Sequence, residues 1–179
     1  MTELPWVLKA RHYSGVTEVK GHRHNPIIIG MLKDMGRYSN EAKAWWLEDE
    51  TPWCGLFVGW ILGECGRYVV KEWYRAKAWA DSNMTKLSAP AYGAIAVMDR
   101  AGGGHVGIVV GKDAAGNIML LSGNVSDMVK IAPFAANRIT GYYWPSYYRD
   151  GQPVKSQPAQ GRYRLPLLKS DGKLSTNEA

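Results

Sequence analysis

The stretch TPWCGLFVGWILGECG, residues 51–66, restricts the chain most. Its apolar residues Cys54, Phe57, Val58, Ile61, Leu62 and Cys65 recur at spacings of three and four, which is one helical stripe facing a core. Thr51 reads as the N-cap, Pro52 as the first helical residue and Gly66 as the C-terminal cap. A helix this apolar has to be enclosed, so the rest of the chain must wrap it. Cys54 falls in the first turn, where unsatisfied N–H groups and the positive end of the helix dipole favour thiolate. The ordinary reading of a helical cysteine is a small core residue, and that reading is kept for Cys65. Eleven residues of helix would hold the two sulfurs about 16 Å apart, too far for a disulfide.

At 179 residues, 46% of them apolar, the chain is long enough for one well-filled core and an appendage. The N-terminal MTELPWVLKARHYSG has Lys9 and Arg11 and no uninterrupted apolar run, so no secretory signal is read there. No apolar run approaches the roughly 18 residues of a membrane span. The expectation is synthesis in the cytoplasm, with something else needed to let the protein out if it acts elsewhere. The net charge is +6, and six basic against three acidic residues lie from Arg149 onward. Such a balance suits an anionic envelope surface, met through Arg162, Arg164 and Lys169. No nucleic-acid motif or lysine-arginine block occurs, so nucleic acid is not an expected partner. A monomer is expected.

Along the chain, a short helix is expected over residues 5–14 and a second over 26–35, where Asn25 and Pro26 repeat the cap-then-proline pattern. Further helices are expected over residues 40–47 and 71–81. From Pro90 the period changes: residues 94–98, 105–111, 117–124, 128–134 and 139–144 read as short strands between Gly, Asp and Asn turns. Helices first and strands second argue an α+β domain, with the N-terminal helices packed on one face of a C-terminal antiparallel sheet. The catalytic unit is expected over residues 1–149. Residues 150–179, rich in Gln, Pro, Gly, Ser and Lys, read as a basic polar tail or a loosely docked arm.

A nucleophilic cysteine needs a base and a group to orient that base. His105 follows three glycines and opens a strand, and imidazole titrates near neutrality. Ser122 and Asn124 lie two apart on the next strand and so are expected on one face. Asn124 is the candidate orienting residue, with Ser122 in support. These side chains are expected to meet at the rim of an open groove. Glu18, His22, Asp49 and Trp53 are candidates for lining a substrate cleft, although loop or cap charge accounts for Glu18 and Asp49 at least as well and core packing is the favoured reading of Trp53. His22 and His24 with Cys54 could hold zinc, but nothing in the spacing requires it, and no metal or other cofactor is expected.

The segments PWCGLFVGW, GGGHVGIVVG, LLSGNVSDMVKIAPF and GYYWP together resemble the cysteine peptidoglycan hydrolases with CHAP and NlpC-type domains, and most of all the phage endolysins. The resemblance runs over roughly residues 5–145. It implies a papain-like core, Cys54 as nucleophile, His105 as base and then acid, and Asn124 as orienter. It implies amide cleavage in the wall peptide through a thioester. Relatives often open the first strand with Gly-Asp where this chain has Gly93 and Ala94, and many carry an acidic residue where Ser122 stands. A secreted antibacterial amidase effector and a non-catalytic wall-binding module are the rival readings.

Overall fold

The computed structural model describes residues 2–21, 23–39, 52–100 and 102–177. The chain begins with helix α1 (Pro5–His12) and helix α2 (Pro26–Met35). Asn25 caps α2 as its sequence pattern requires, accepting from the Ile27 N–H at 2.9 Å. Ile28, Met31, Leu32 and Met35 form the buried face of α2. The expected helix over 40–47 lies outside the described residues.

Helix α3 (Cys54–Glu64) is buried on every side from Cys54 to Leu62. It is the hub expected from its composition, with α1 and α2 packed against it. The helix starts later than its sequence suggests. Trp53 occupies the N-cap without a side-chain cap, and Pro52 lies before the helix. At the other end Gly66 adopts φ +65, the left-handed conformation that closes helices.

Six strands follow: β1 (Thr85–Leu87), β2 (Ile95–Arg100), β3 (Gly103–Lys112), β4 (Ile118–Val125), β5 (Met128–Phe134) and β6 (Ile139–Trp144). They form one sheet in the order β1-β6-β2-β3-β4-β5, every pair antiparallel. The fold is α+β, as the separation of helices from strands implies, and it is consistent with a papain-like core. Strands β3 and β4, against which α3 packs, are buried over nearly their whole length. The loop after α1 extends the sheet: Gly15 donates to the Val129 carbonyl, Val129 to Val16, and Glu18 to Asp127.

Residues 71–81 do not form the expected helix. They make turns and one short 3-10 segment, Ala76–Trp79. The Trp73 carbonyl accepts from the Trp79 indole at 3.0 Å, so that carbonyl is engaged by a ring rather than left to a helical ladder.

Beyond Trp144 the chain makes a small hairpin of β7 (Tyr147–Arg149) and β8 (Gln152–Val154) and a short helical turn, Gln160–Tyr163. It then runs beside the end of β3, where Lys112 donates to the Pro166 carbonyl and Leu168 donates back to Lys112. Further on, Ser175 donates to the Pro133 carbonyl, and Asn177 accepts from Ser126. No described helix is long and apolar enough to cross a membrane.

Candidate active site

Cys54 is the first residue of α3, and two glycines decide where its backbone lies. A Cβ on Gly55 would come within 2.5 Å of the Trp73 carbonyl oxygen. A Cβ on Gly123 of β4 would come within 2.7 Å of Phe57 Cβ and of the Trp53 ring. The start of α3 is therefore wedged between the backbone of Trp73 and Tyr74 on one side and β4 on the other. Its sulfur meets β3 at the backbone N–H of Val106, the residue after His105.

The electrostatics of that thiol differ from the sequence expectation. Burial raises the Cys54 pKa above its ordinary value, outweighing the N–H groups of Val106 and Gly55, the Arg100 charge and the residue's own N–H, which all lower it. Helix-terminus stabilisation is present, but a thiolate stripped of water costs more than these groups return. Cys54 rests as a neutral thiol. It is 4% exposed, and Cys65, half-buried, is also a free thiol.

His105 lies two residues inside β3, opposite Met98 of β2, and is 0% exposed. Its ring stacks on Phe134 at 5.3 Å between centroids, 16° from parallel. Gly107, two residues along β3, makes room for Ser122, since a Cβ there would overlap the Ser122 hydroxyl. Alternation thus places His105, Gly107 and Ser122 on one face of the sheet, and Phe134 from the far end of β5 curls over the imidazole. Burial, with the Arg100 and Arg138 charges, lowers the His105 pKa from 6.5 to about 3. At neutral pH the ring is uncharged.

The expected row of hydrogen bonds is not closed. Among the described residues, neither ring nitrogen of His105 has a hydrogen-bond partner, and neither does the Ser122 hydroxyl. Asn124 is 1% exposed and adopts φ +57, a left-handed conformation that Asn tolerates. It interrupts the β4–β5 register between Ser122 and Val125, so the two-residue alternation expected for Ser122 and Asn124 does not hold there. The structure brings Cys54, His105, Ser122 and Asn124 to one end of the β3–β4 pair, enclosed by the core rather than exposed at the rim of a groove.

Two of the four cleft candidates are tied to each other. Trp53 is buried and its indole N–H donates to Glu18 Oε1 at 2.6 Å, so it is part of the core. His22 and Asp49 lie outside the described residues. Sequence reading missed the Val106 N–H, the Arg100 charge felt by both Cys54 and His105, and the Phe134 ring. Arg100 alone left a signal, as the last residue of a strand that turns straight into the glycines before His105. Among the described residues no group of three His, Cys, Asp or Glu side chains could hold a metal ion.

Comparison with known families gives one assignment. Residues 39–124 match the family model described as the CHAP domain. The matched span contains Cys54, His105, Ser122 and Asn124. No curated protein and no solved structure gives a significant match to the chain. That match lies over an antiparallel sheet and a cysteine heading the helix packed on it, so residues 39–124 are similar to the CHAP domain, which is consistent with a peptidoglycan hydrolase or amidase type of function.

Proposed function

We propose that this chain cleaves an amide of the wall peptide by cysteine catalysis, with Cys54 as nucleophile and His105 as base. One observation carries the reading: within the CHAP match, the sulfur at the head of α3 sits against the N–H of the residue following a neutral, buried histidine. The thiol and imidazole are both uncharged at rest. As sulfur bonds to the carbonyl carbon, its proton moves to an imidazole nitrogen. That proton then passes to the amide nitrogen as the C–N bond breaks, leaving a thioester and a free amine. Water, giving a proton to His105, attacks the thioester and releases the thiol. N–H groups around the sulfur are donors for the oxyanion, each of the kind worth about 3 kcal/mol in the transition state. Hydrogen bonds between such groups commonly tighten only when substrate is bound, so an open apo relay is compatible with this role. Asn124, with Ser122 beside it, orients the imidazole in that bound state.

Purified sacculi digested with the protein and analysed by mass spectrometry test the reading and identify the bond, whether muramoyl-alanine or within the stem or cross-bridge. Soluble fragments that disappear in Cys54→Ala are the expected result. The burial of the sulfur and the open relay favour a second reading, a wall-binding module without catalysis. It predicts sacculus binding that survives Cys54→Ala, with no fragments from either protein. We read the biological setting as lysis by a phage endolysin acting on the wall after release. Lysis by the intracellular protein only when a separate membrane pore is co-expressed tests this, and lysis without a pore counts against it.

A further inference from the structure

The sequence assigns Arg162 and Arg164 to a solvated basic tail, but Arg162 is 9% exposed. Its Nη2 donates to the Thr2 carbonyl at 2.6 Å, and its guanidinium lies 5.7 Å from the Tyr92 ring centroid. Together with Arg11 of α1 and Arg164 it surrounds a cavity of 210 Å³, floored by apolar atoms of Val110 and Leu168. Arg11 reaches the Tyr92 hydroxyl at 3.5 Å.

Among the described residues, Glu3 is the one carboxylate lining this cavity. Its Oε2 accepts from the Tyr92 hydroxyl at 2.8 Å and its Oε1 from the Leu4 N–H at 2.8 Å. Among the described residues, no carboxylate forms an ion pair with Arg11, Arg162 or Arg164. A guanidinium nine-tenths removed from water with, among the described residues, only a carbonyl and a ring face as partners is an uncompensated charge, which folded proteins rarely keep without use. Three arginines against one glutamate leave the site two positive charges in excess, which matches a phosphate dianion. The planar fork of arginine suits phosphate oxygens in pairs.

We propose that this cavity is a phosphate-binding site, formed jointly by α1, the Tyr92 turn and the docked C-terminal segment. Its volume accommodates a phosphate group with a short apolar continuation over Val110 and Leu168. Val110 lies five residues along β3 from His105, about 17 Å, so the site is separate from the His105 end of the strand and does not depend on the catalytic reading. A phosphate held there would anchor the protein to phosphorylated envelope material, carried either by a soluble glycerol phosphate unit or by a lipid headgroup.

Calorimetric titration of the full chain with inorganic phosphate, in a buffer matched for ionic strength with chloride, provides the test. The expected result is saturable binding at one site that weakens by about tenfold or more in Arg164→Gln and in Arg11→Gln. Arg164 is exposed and Arg11 half-buried, so neither variant depends on tolerance of a change at Arg162. Lys169→Gln with Lys173→Gln is the control, and is expected to bind as the unaltered protein does. Binding no stronger than chloride overturns the proposal. So does equal weakening in the lysine control, which would mean a diffuse surface charge. Glycerol 3-phosphate and phosphatidylcholine vesicles containing phosphatidic acid then compete against inorganic phosphate. Competition by either supports the site and identifies its source, and competition by neither overturns it.

Discussion

Acidification should unfold this domain through His105 in particular. The folded-state pKa is about 3 against 6.5 for an unperturbed imidazole, so the unfolded chain takes up a proton that the native state refuses. The sign follows directly. The stability linked to this group is fully present above pH 6.5 and is lost progressively as pH falls toward 3. The whole shift amounts to about 5 kcal/mol, of which about 2 kcal/mol is already gone at pH 5. Domains of this size are commonly stable by only about 5–15 kcal/mol, so one imidazole governs much of the acid limit. His105→Leu removes the titration. It also removes two buried ring nitrogens that have no partner among the described residues, each of a kind whose desolvation costs about 1–3 kcal/mol, so the variant should be at least as stable as the parent at pH 7.5. Urea unfolding followed by tryptophan fluorescence at pH 7.5 and pH 5 gives the comparison. The gap between variant and parent should widen in the variant's favour by about 2 kcal/mol at the lower pH. A gap that stays constant, or ring nitrogens seen by NMR to titrate near 6.5, would refute the placement of this histidine in a dry core.

Three further outcomes are expected. With limiting iodoacetamide at pH 7.5, peptide mass spectrometry should find Cys65 alkylated before Cys54, because burial raises both thiols but Cys65 is half-buried whereas Cys54 is enclosed. Gly123→Ala forces a methyl against Phe57 and Trp53. It should cost about 1–3 kcal/mol in thermal or urea unfolding and lower wall hydrolysis by displacing the head of α3. Ending the chain at Arg149 removes the backbone bonds to Lys112, Ser126, Pro133 and Tyr92. At about 1 kcal/mol each this should lower stability by several kcal/mol, readable as a drop in melting temperature.

Sequence patterns reached some parts of this fold and not others, for identifiable reasons. Helix α2 was readable to its first residue because Asn25 and Pro26 set its start locally, and β5 and β6 occupy the expected segments because turn residues bracket them. Strands β1, β7 and β8 span three residues each, too few for alternation to register. Residues 71–81 carry helical spacing, but the indole of Trp79 and the close approach of Gly55 both make use of the Trp73 carbonyl, a tertiary demand that periodicity does not contain. Residues 160–177 have the composition of a loose arm, and their hydrogen bonds to β3, to β5 and to Ser126 in the turn between β4 and β5 come from the sheet they meet. At the site, the placement of Cys54 in the first turn of a helix and of His105 near the start of a strand was legible. The curl that lays Phe134 on His105 and the left-handed turn at Asn124 depend on long-range packing, so the expected relay was drawn too straight.

The bond from Arg162 to the Thr2 carbonyl joins positions 160 residues apart, and Tyr92, midway between them, donates its N–H to the Arg162 carbonyl. During translation the first helix therefore leaves the ribosome long before its fastening exists. Trp6 can seat against Gly93 once the middle of the chain has emerged, but the latch over it waits for almost the last of the described residues. Folding should accordingly proceed as early collapse around α3 and the sheet, followed by a slower locking step in which the two ends find each other. Fluorescence refolding with a dye at residue 2 would register that step as a phase trailing the burial of tryptophan.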